Sequence, residues 1–216
     1  MIALPLKHCE RILCLGAHSD DIEIGCGGTL LSLIAENPAV EVRWVVFSAQ
    51  PPRNVEAKRS ALEFLAKGRK RTIELKKFRT SFFPYQGQAI KEAFEQIKSK
   101  FSPDVIFTHY RDDRHQDHCV LSDLAWNTFR THLILEYEII KYDGDLGSPN
   151  LFVPLAEEIC TQKIDLLLKH FRTQSNKYWF TRGTFEAMHR IRGVECASPT
   201  GFAEAFYCRK VVLGLI

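Results

Sequence analysis

Arg11-Ile12-Leu13-Cys14-Leu15-Gly16-Ala17-His18-Ser19-Asp20-Asp21 carries an apolar run straight into a histidine and two adjacent carboxylates. The run at 11–15 is short, continuous and closed by a polar turn, which reads as a buried strand of a parallel sheet. Gly25, Gly27 and Gly28 follow, as the turn into a helix predicted over 29–36. Together these pieces form the first strand–helix unit of a doubly wound sheet, where ligands bind beyond the carboxyl ends of the strands. The acidic turn therefore stands where chemistry is expected.

Outward from this unit the pattern repeats. Apolar runs predict strands at 40–47, 105–109 and 135–140, a short strand at 72–78 and a last one within 206–215. Helical stripes predict helices at 53–67, 89–100, 118–131 and 155–171, with loops at 82–87 and 141–154. Strands alternating with helices make an α/β fold with a mainly parallel sheet. No linker divides the chain, so residues 1–216 read as a single domain.

Hydrophobic residues form 45% of the chain and charged residues 25%, a globular balance that excludes intrinsic disorder. A net charge of +3 gives no argument for nucleic acid, although it suits an anionic small substrate. The basic run at 67–71, with Lys76 and Lys77, reads as solvated surface. Seven cysteines at 9, 14, 26, 119, 160, 196 and 208 are odd in number and include no C-x-x-C pair. They predict buried thiols in a reducing, cytoplasmic setting. Residues 1–9 are too short for a signal peptide before the first strand, and no apolar run reaches the length of a membrane span.

A second polar cluster, Asp112-Asp113-Arg114-His115-Gln116-Asp117-His118, also follows a predicted strand. In a parallel sheet both loops open on one edge, so His18 and Asp21 can face His118. Two histidines and a carboxylate, with water in the fourth position, suit catalytic zinc, which lowers the pKa of its water to about 7. Asp20 adjoins Asp21 and can take a proton from that water. His115, one helical turn from His118, can donate a proton or stabilise an oxyanion, and Asp117 can orient a histidine and keep it cationic. Singly, each cluster has a plain structural explanation: acids after a strand cap a helix, and acids in a first turn suit its dipole. Their pairing at the ends of two buried strands points to a metal.

Ala17-His18-Ser19-Asp20-Asp21-Ile22-Glu23-Ile24-Gly25-Cys26-Gly27-Gly28-Thr29 resembles the A-H-P-D-D-x-E-x-G-x-G-G-T signature of the PIG-L/LmbE-like zinc deacetylases. Thr108-His109 with Asp113-Arg114-His115-Gln116-Asp117-His118 is similar to that family's second motif, H-x-D-H at the end of a strand. Ala203-Glu204-Ala205-Phe206 resembles a third feature, so the likeness covers nearly the whole chain. The resemblance implies a Rossmann-like three-layer fold, one zinc ion, and removal of an N-acetyl group from an amino-sugar derivative. Such a substrate is an N-acetylglucosamine-like glycoside, a nucleotide sugar or a glycolipid, and the products are acetate and a free amine. Position by position, the resemblance implies His18, Asp21 and His118 as metal ligands, Asp20 as general base, His115 as imidazolium acid or electrophile, and Asp117 as its partner. Ser19 departs from the usual proline, although the turn still presents the same side chains. Arg53, with Glu56-Ala57, resembles an R-x-x-E-A segment whose arginine lies near the substrate, and Arg59 competes for that place.

Two other classes of function stand beside this one. A nucleotide-binding module would hold phosphate on Gly25 to Gly28, but the preceding Asp-Asp pair repels phosphate and the G-x-G-x-x-G spacing is absent. A metal-dependent phosphoesterase would favour carboxylates and two metals. The loop at 141–154 is either a pocket wall or a crossover, and Tyr178, Trp179 and Phe180 either stack on a sugar or seal a helix. A homo-oligomer stays open.

Overall fold

A seven-stranded sheet organises residues 9–212, the part of the chain that this computed structural model describes. The elements follow in the order β1 (Arg11–Gly16), α1 (Asp21–Glu36), β2 (Glu41–Val46), α2 (Arg53–Phe64) and β3 (Lys70–Leu75). A short 3-10 turn (Phe83–Gln86) leads into α3 (Gly87–Lys100), β4 (Val105–His109), α4 (Gln116–Thr128) and β5 (Leu133–Tyr137). The last part holds β6 (Leu151–Pro154), α5 (Glu157–His170), α6 (Arg182–Glu195) and β7 (Ala203–Cys208). The spatial order is β3-β2-β1-β4-β5-β7-β6. The first five of these strands pair in parallel, and β7 runs antiparallel to both β5 and β6.

Alternate residues of the buried strands feed opposite faces, as a two-residue period requires. Ile12, Cys14, Trp44 and Val46 pack with Leu30, Ile34, Phe64, Ile164 and Leu167 of α1, α2 and α5. Leu13, Leu15, Val45 and Phe47 pack with Ile90, Phe94, Ile97, Leu121 and Ala125 of α3 and α4. Two apolar layers on one sheet give the expected three-layer α/β fold. The basic segment lies on β3, an edge strand whose exposed Lys70 and Arg71 keep it from pairing further.

Several sequence boundaries move. Helix α1 starts at Asp21, not residue 29, so Gly25, Gly27 and Gly28 lie inside it instead of forming a turn. It breaks at Cys26, whose φ of −141° is not helical. A Cβ on Gly25 would sit 2.2 Å from Tyr137 Cδ2, so packing against β5 demands glycine there. Past the break, Glu204 of β7 accepts the N–H groups of Gly28 at 2.8 Å and Thr29 at 2.7 Å, capping the second segment. That carboxylate stands where a phosphate cradle would need its anion. The loop expected at 141–154 ends in β6, α6 was not foreseen, and the last strand ends at Cys208. The rest of that predicted strand, at 213–215, and the leader reading of residues 1–8 lie outside the described residues. Among the described residues no helix is long and apolar enough to cross a membrane.

Candidate metal centre and active site

Strand β1 pairs with β2 on one side and with β4 on the other, so the order of the sheet reverses beside it. Loops leaving such a reversal splay apart and open a crevice. The turn after β1 and the loop after β4 therefore meet there, and they carry both polar clusters. Asp20 and Asp21 stand at the start of α1, but neither is a solvated cap. Both are buried, and Asp20 makes no side-chain capping bond.

Three expected ligands converge. His18 Nδ1 lies 3.1 Å from His118 Nε2 and 3.4 Å from Asp21 Oδ2, while His118 Nε2 lies 3.5 Å from Asp21 Oδ2. Bonds of about 2.0–2.1 Å in a tetrahedral site imply ligand–ligand edges of about 3.3–3.4 Å, so this triangle fits a zinc-sized cation. Each imidazole is aimed by a carboxylate at its other nitrogen, with His18 Nε2 3.0 Å from Asp117 Oδ2 and His118 Nδ1 2.9 Å from Asp113 Oδ2. Such partners select the tautomer that offers its lone pair to a metal. The His18 backbone N–H donates to Asp21 Oδ2 at 2.6 Å and locks that side chain in the turn. His115 joins His18 and His118 in one group of possible donors, and His109 joins Asp21 and His118 in another.

The charges agree with this use. Burial, then the neighbouring His109, lowers the His118 pKa to about 3, while the nearby carboxylates only partly oppose this, so its imidazole is neutral. Burial disfavours charged His18, yet Asp21 and Asp117 outweigh it and raise its pKa to about 9. Since His118 Nδ1 faces a carboxylate, its Nε2 accepts, and His18 Nδ1 donates to it. A proton on His18 thus occupies the place a metal would take. Burial also opposes charge on Asp21, but the three histidines around it hold its carboxyl well below the usual range.

Asp20 Oδ1 accepts from Arg53 Nη2 at 2.5 Å, which places Arg53 at the site, whereas Arg59 is exposed on α2. His115 borders His18 and His118, with ring centroids at 4.7 and 4.6 Å. Its expected pairing with the Asp117 carboxylate is not made, because that carboxylate goes to His18 and to the N–H groups of Ser81 and Phe83. The Asp117 backbone N–H instead donates to His115 Nδ1 at 3.2 Å, leaving the ring proton on Nε2. Burial, then the charge on His18, lowers the His115 pKa despite Asp117, a direction that runs against the expected imidazolium.

Sequence reasoning gave Asp113 and His109 no role. Asp113 receives His118, the His115 N–H and Lys141, and His109 lies buried beneath His118. The signal available was their place at the end of β4 and in the stretch that resembles the family's second motif. Lys141 bonds Asp113 and Asp145, and Asp145 accepts the Arg114 N–H, so the first part of the 141–154 loop buttresses the second cluster. Phe180 packs in the core beside Phe171 and Phe185, Trp179 packs against it, and Tyr178 stands exposed.

Comparison with known proteins gives four findings. A family model described as "PIG-L: GlcNAc-PI de-N-acetylase" matches residues 13–129, a span holding both polar loops. The Escherichia coli K12 protein named "Uncharacterized deacetylase YaiS" is 30% identical over 170 residues, covering 74% of this chain and 90% of its own. The N,N'-diacetylchitobiose deacetylase of Pyrococcus horikoshii superposes with a TM-score of 0.70 at 20% identity, over 94% of this chain and 84% of that one. GalB, the 4-carboxy-2-hydroxymuconate hydratase of Pseudomonas putida KT2440, superposes at 0.69 with 14% identity, over 96% and 100%. At such identities the two structures speak for the fold, and a fold does not choose a reaction.

Proposed function

The chain belongs to the PIG-L family, and from that premise we propose that it is a zinc-dependent hydrolase removing an N-acetyl group from an amino-sugar derivative. The observation that carries this reading is the triangle of His18 Nδ1, Asp21 Oδ2 and His118 Nε2, with edges of 3.1–3.5 Å and Asp20 next to it. His18, Asp21 and His118 would hold one zinc ion per chain, which supplies Lewis acidity and lowers the pKa of water to about 7.

The chain's own residues supply the rest. Asp20 takes the proton from the attacking water, whose oxygen forms the new bond to the acetyl carbon. Arg53, already on Asp20 Oδ1, sets that carboxylate's orientation and faces the substrate. His115 serves as a neutral donor: its Nδ1 accepts the Asp117 N–H, so its Nε2–H points a hydrogen bond at the developing oxyanion. The C–N bond then breaks, the proton held by Asp20 passes to the amine nitrogen, and acetate and a free amine leave. Asp117 and Asp113 aim the two histidines, and Lys141 anchors Asp113.

Glu204 already fills the helix N-terminus that a nucleotide module would use, which weighs against that reading. Free thiols at all seven cysteines suit the proposed cytoplasmic location. Acetate release from a panel of N-acetylated amino sugars, glycosides and nucleotide sugars tests the activity, beside metal analysis of the protein. One zinc per chain with acetate release, abolished in Asp20→Asn with zinc retained, is the expected result. Two metals per chain with phosphate-ester turnover and no acetate would move the assignment to the phosphoesterases.

A further inference from the structure

His109 is fully buried at the end of β4, touches both loops of the site and has no part in the steps above. Its Nε2 accepts the backbone N–H of Ala17 at 2.9 Å. Ala17 immediately precedes His18, so this bond fixes the backbone from which His18 and then Asp21 are presented. The ring of His109 also lies flat on that of His118, with centroids 3.9 Å apart and planes 18° from parallel. One side chain thus grips the β1–α1 turn by a hydrogen bond and the α4 histidine by stacking.

The alternative use of His109 is as a donor to a cation, because its Nε2 lies 3.2 Å from Asp21 Oδ2. An imidazole nitrogen has one in-plane lone pair, and the Ala17 N–H already takes it. Nδ1 faces no partner among the described residues. Tyr137 completes the seat: its hydroxyl donates to the Leu15 carbonyl at 2.6 Å, and its ring meets His109 edge-on at 4.9 Å. We infer that His109 is a positioning residue, bracing the His18 turn and the His118 ring at the separation that one metal ion requires. This rests on the metal-centre reading above and extends it to a residue outside the ligand set.

The experiment compares His109→Asn with His109→Gln in the full chain. Both are smaller than histidine and both are amides, but only glutamine extends far enough to place an acceptor near the former Nε2. Zinc affinity is read by competition with a chromophoric chelator, and site geometry by the visible ligand-field bands of bound Co2+. Wild type is expected to bind one zinc. His109→Asn should weaken it by about ten- to a hundredfold, the usual effect of losing a second-layer contact, and should shift the Co2+ bands. His109→Gln should return to within about threefold of wild type, with thermal midpoints of the two variants alike. Equal weakening in both variants, or wild-type affinity and bands in both, overturns the inference while wild-type zinc binding keeps the function intact. A wild type with two metals, one lost in both variants, would make His109 a ligand and also overturn it. A wild type that binds no zinc overturns both readings.

Discussion

Removing the Glu204 carboxylate should cost several degrees of thermal stability. Its Oε1 accepts from Lys163 Nζ at 2.6 Å and from the Gly28 N–H at 2.8 Å, and its Oε2 accepts from the Thr29 N–H at 2.7 Å. Lys163 and Glu204 are both buried. Glu204→Leu therefore strands one ammonium and two backbone donors in the interior. Breaking one side of a buried ion pair costs about 3–5 kcal/mol. An unfolding entropy of about 2.1 cal/mol/K per residue gives about 0.45 kcal/mol/K for 216 residues, so Tm should fall by about 7–11 °C. Glu204→Gln keeps an acceptor and should lose about half as much. Adding Lys163→Met to Glu204→Leu should recover part of the loss, because no unpaired ammonium then stays buried. Differential scanning calorimetry reads all three. A drop under about 3 °C for Glu204→Leu, or no recovery in the double variant, would refute the argued role of this carboxylate as cap and counter-ion.

Asp113→Ala removes the acceptor of His118 Nδ1 and should raise the zinc dissociation constant about ten- to a hundredfold; an unchanged chelator competition curve would contradict it. Zinc must displace the His18 proton, held with a pKa of about 9, so apparent affinity should rise about tenfold per pH unit below pH 9 and flatten above. Affinities equal at pH 6.5, 7.5 and 8.5 would count against that competition. Burial, then the charge of Lys163, lowers the His189 pKa to about 2, so the native state refuses a proton that the unfolded chain takes below about 6.5. Its stabilisation is full above pH 6.5 and is lost as pH falls, by about 2 kcal/mol between pH 6.5 and 5; urea unfolding of wild type and His189→Gln should diverge by that amount, and parallel curves would exclude it. Arg53→Ala should lower kcat/KM by about ten- to a hundredfold through the lost charged hydrogen bond to Asp20, with Arg59→Ala near wild type. Equal effects of the two would return Arg59 to contention.

The central strands of the parallel sheet were legible because they are short apolar runs between polar loops, the pattern of strands buried on both faces. Helix α3 shows its stripe, Ile90, Ala93, Phe94 and Ile97, and each of these is buried. Helix α1 misled because glycines usually punctuate helices, whereas here they lie within one. Gly25 admits Tyr137, and the break at Cys26 is sealed by Glu204, a residue 176 positions from Gly28. No local pattern announces a cap from that distance. Helix α6 was missed because its buried positions include Arg192 and His189, polar residues whose partners lie on other elements.

The candidate site separates what spacing can reveal from what it cannot. Spacing along each loop placed His18, Asp21 and His118 together, because a parallel sheet sends both loops to one edge and the reversal beside β1 makes them neighbours. The direction of a ring or a carboxylate is another matter. Asp117 adjoins His118 and lies two residues from His115, yet its carboxylate crosses to His18 on the other loop, while His118 is aimed by Asp113, five residues back. The exchange follows from α4, which begins at Gln116: its first turn points Asp117 toward the β1 turn and leaves its backbone N–H to His115. Residue types and their order therefore identify the proposed ligands, and the helix start decides which acid serves which histidine. The same exchange leaves His115 without a carboxylate partner from Asp117, and burial with the charge on His18 lowers its pKa, which is why it is proposed as a neutral donor.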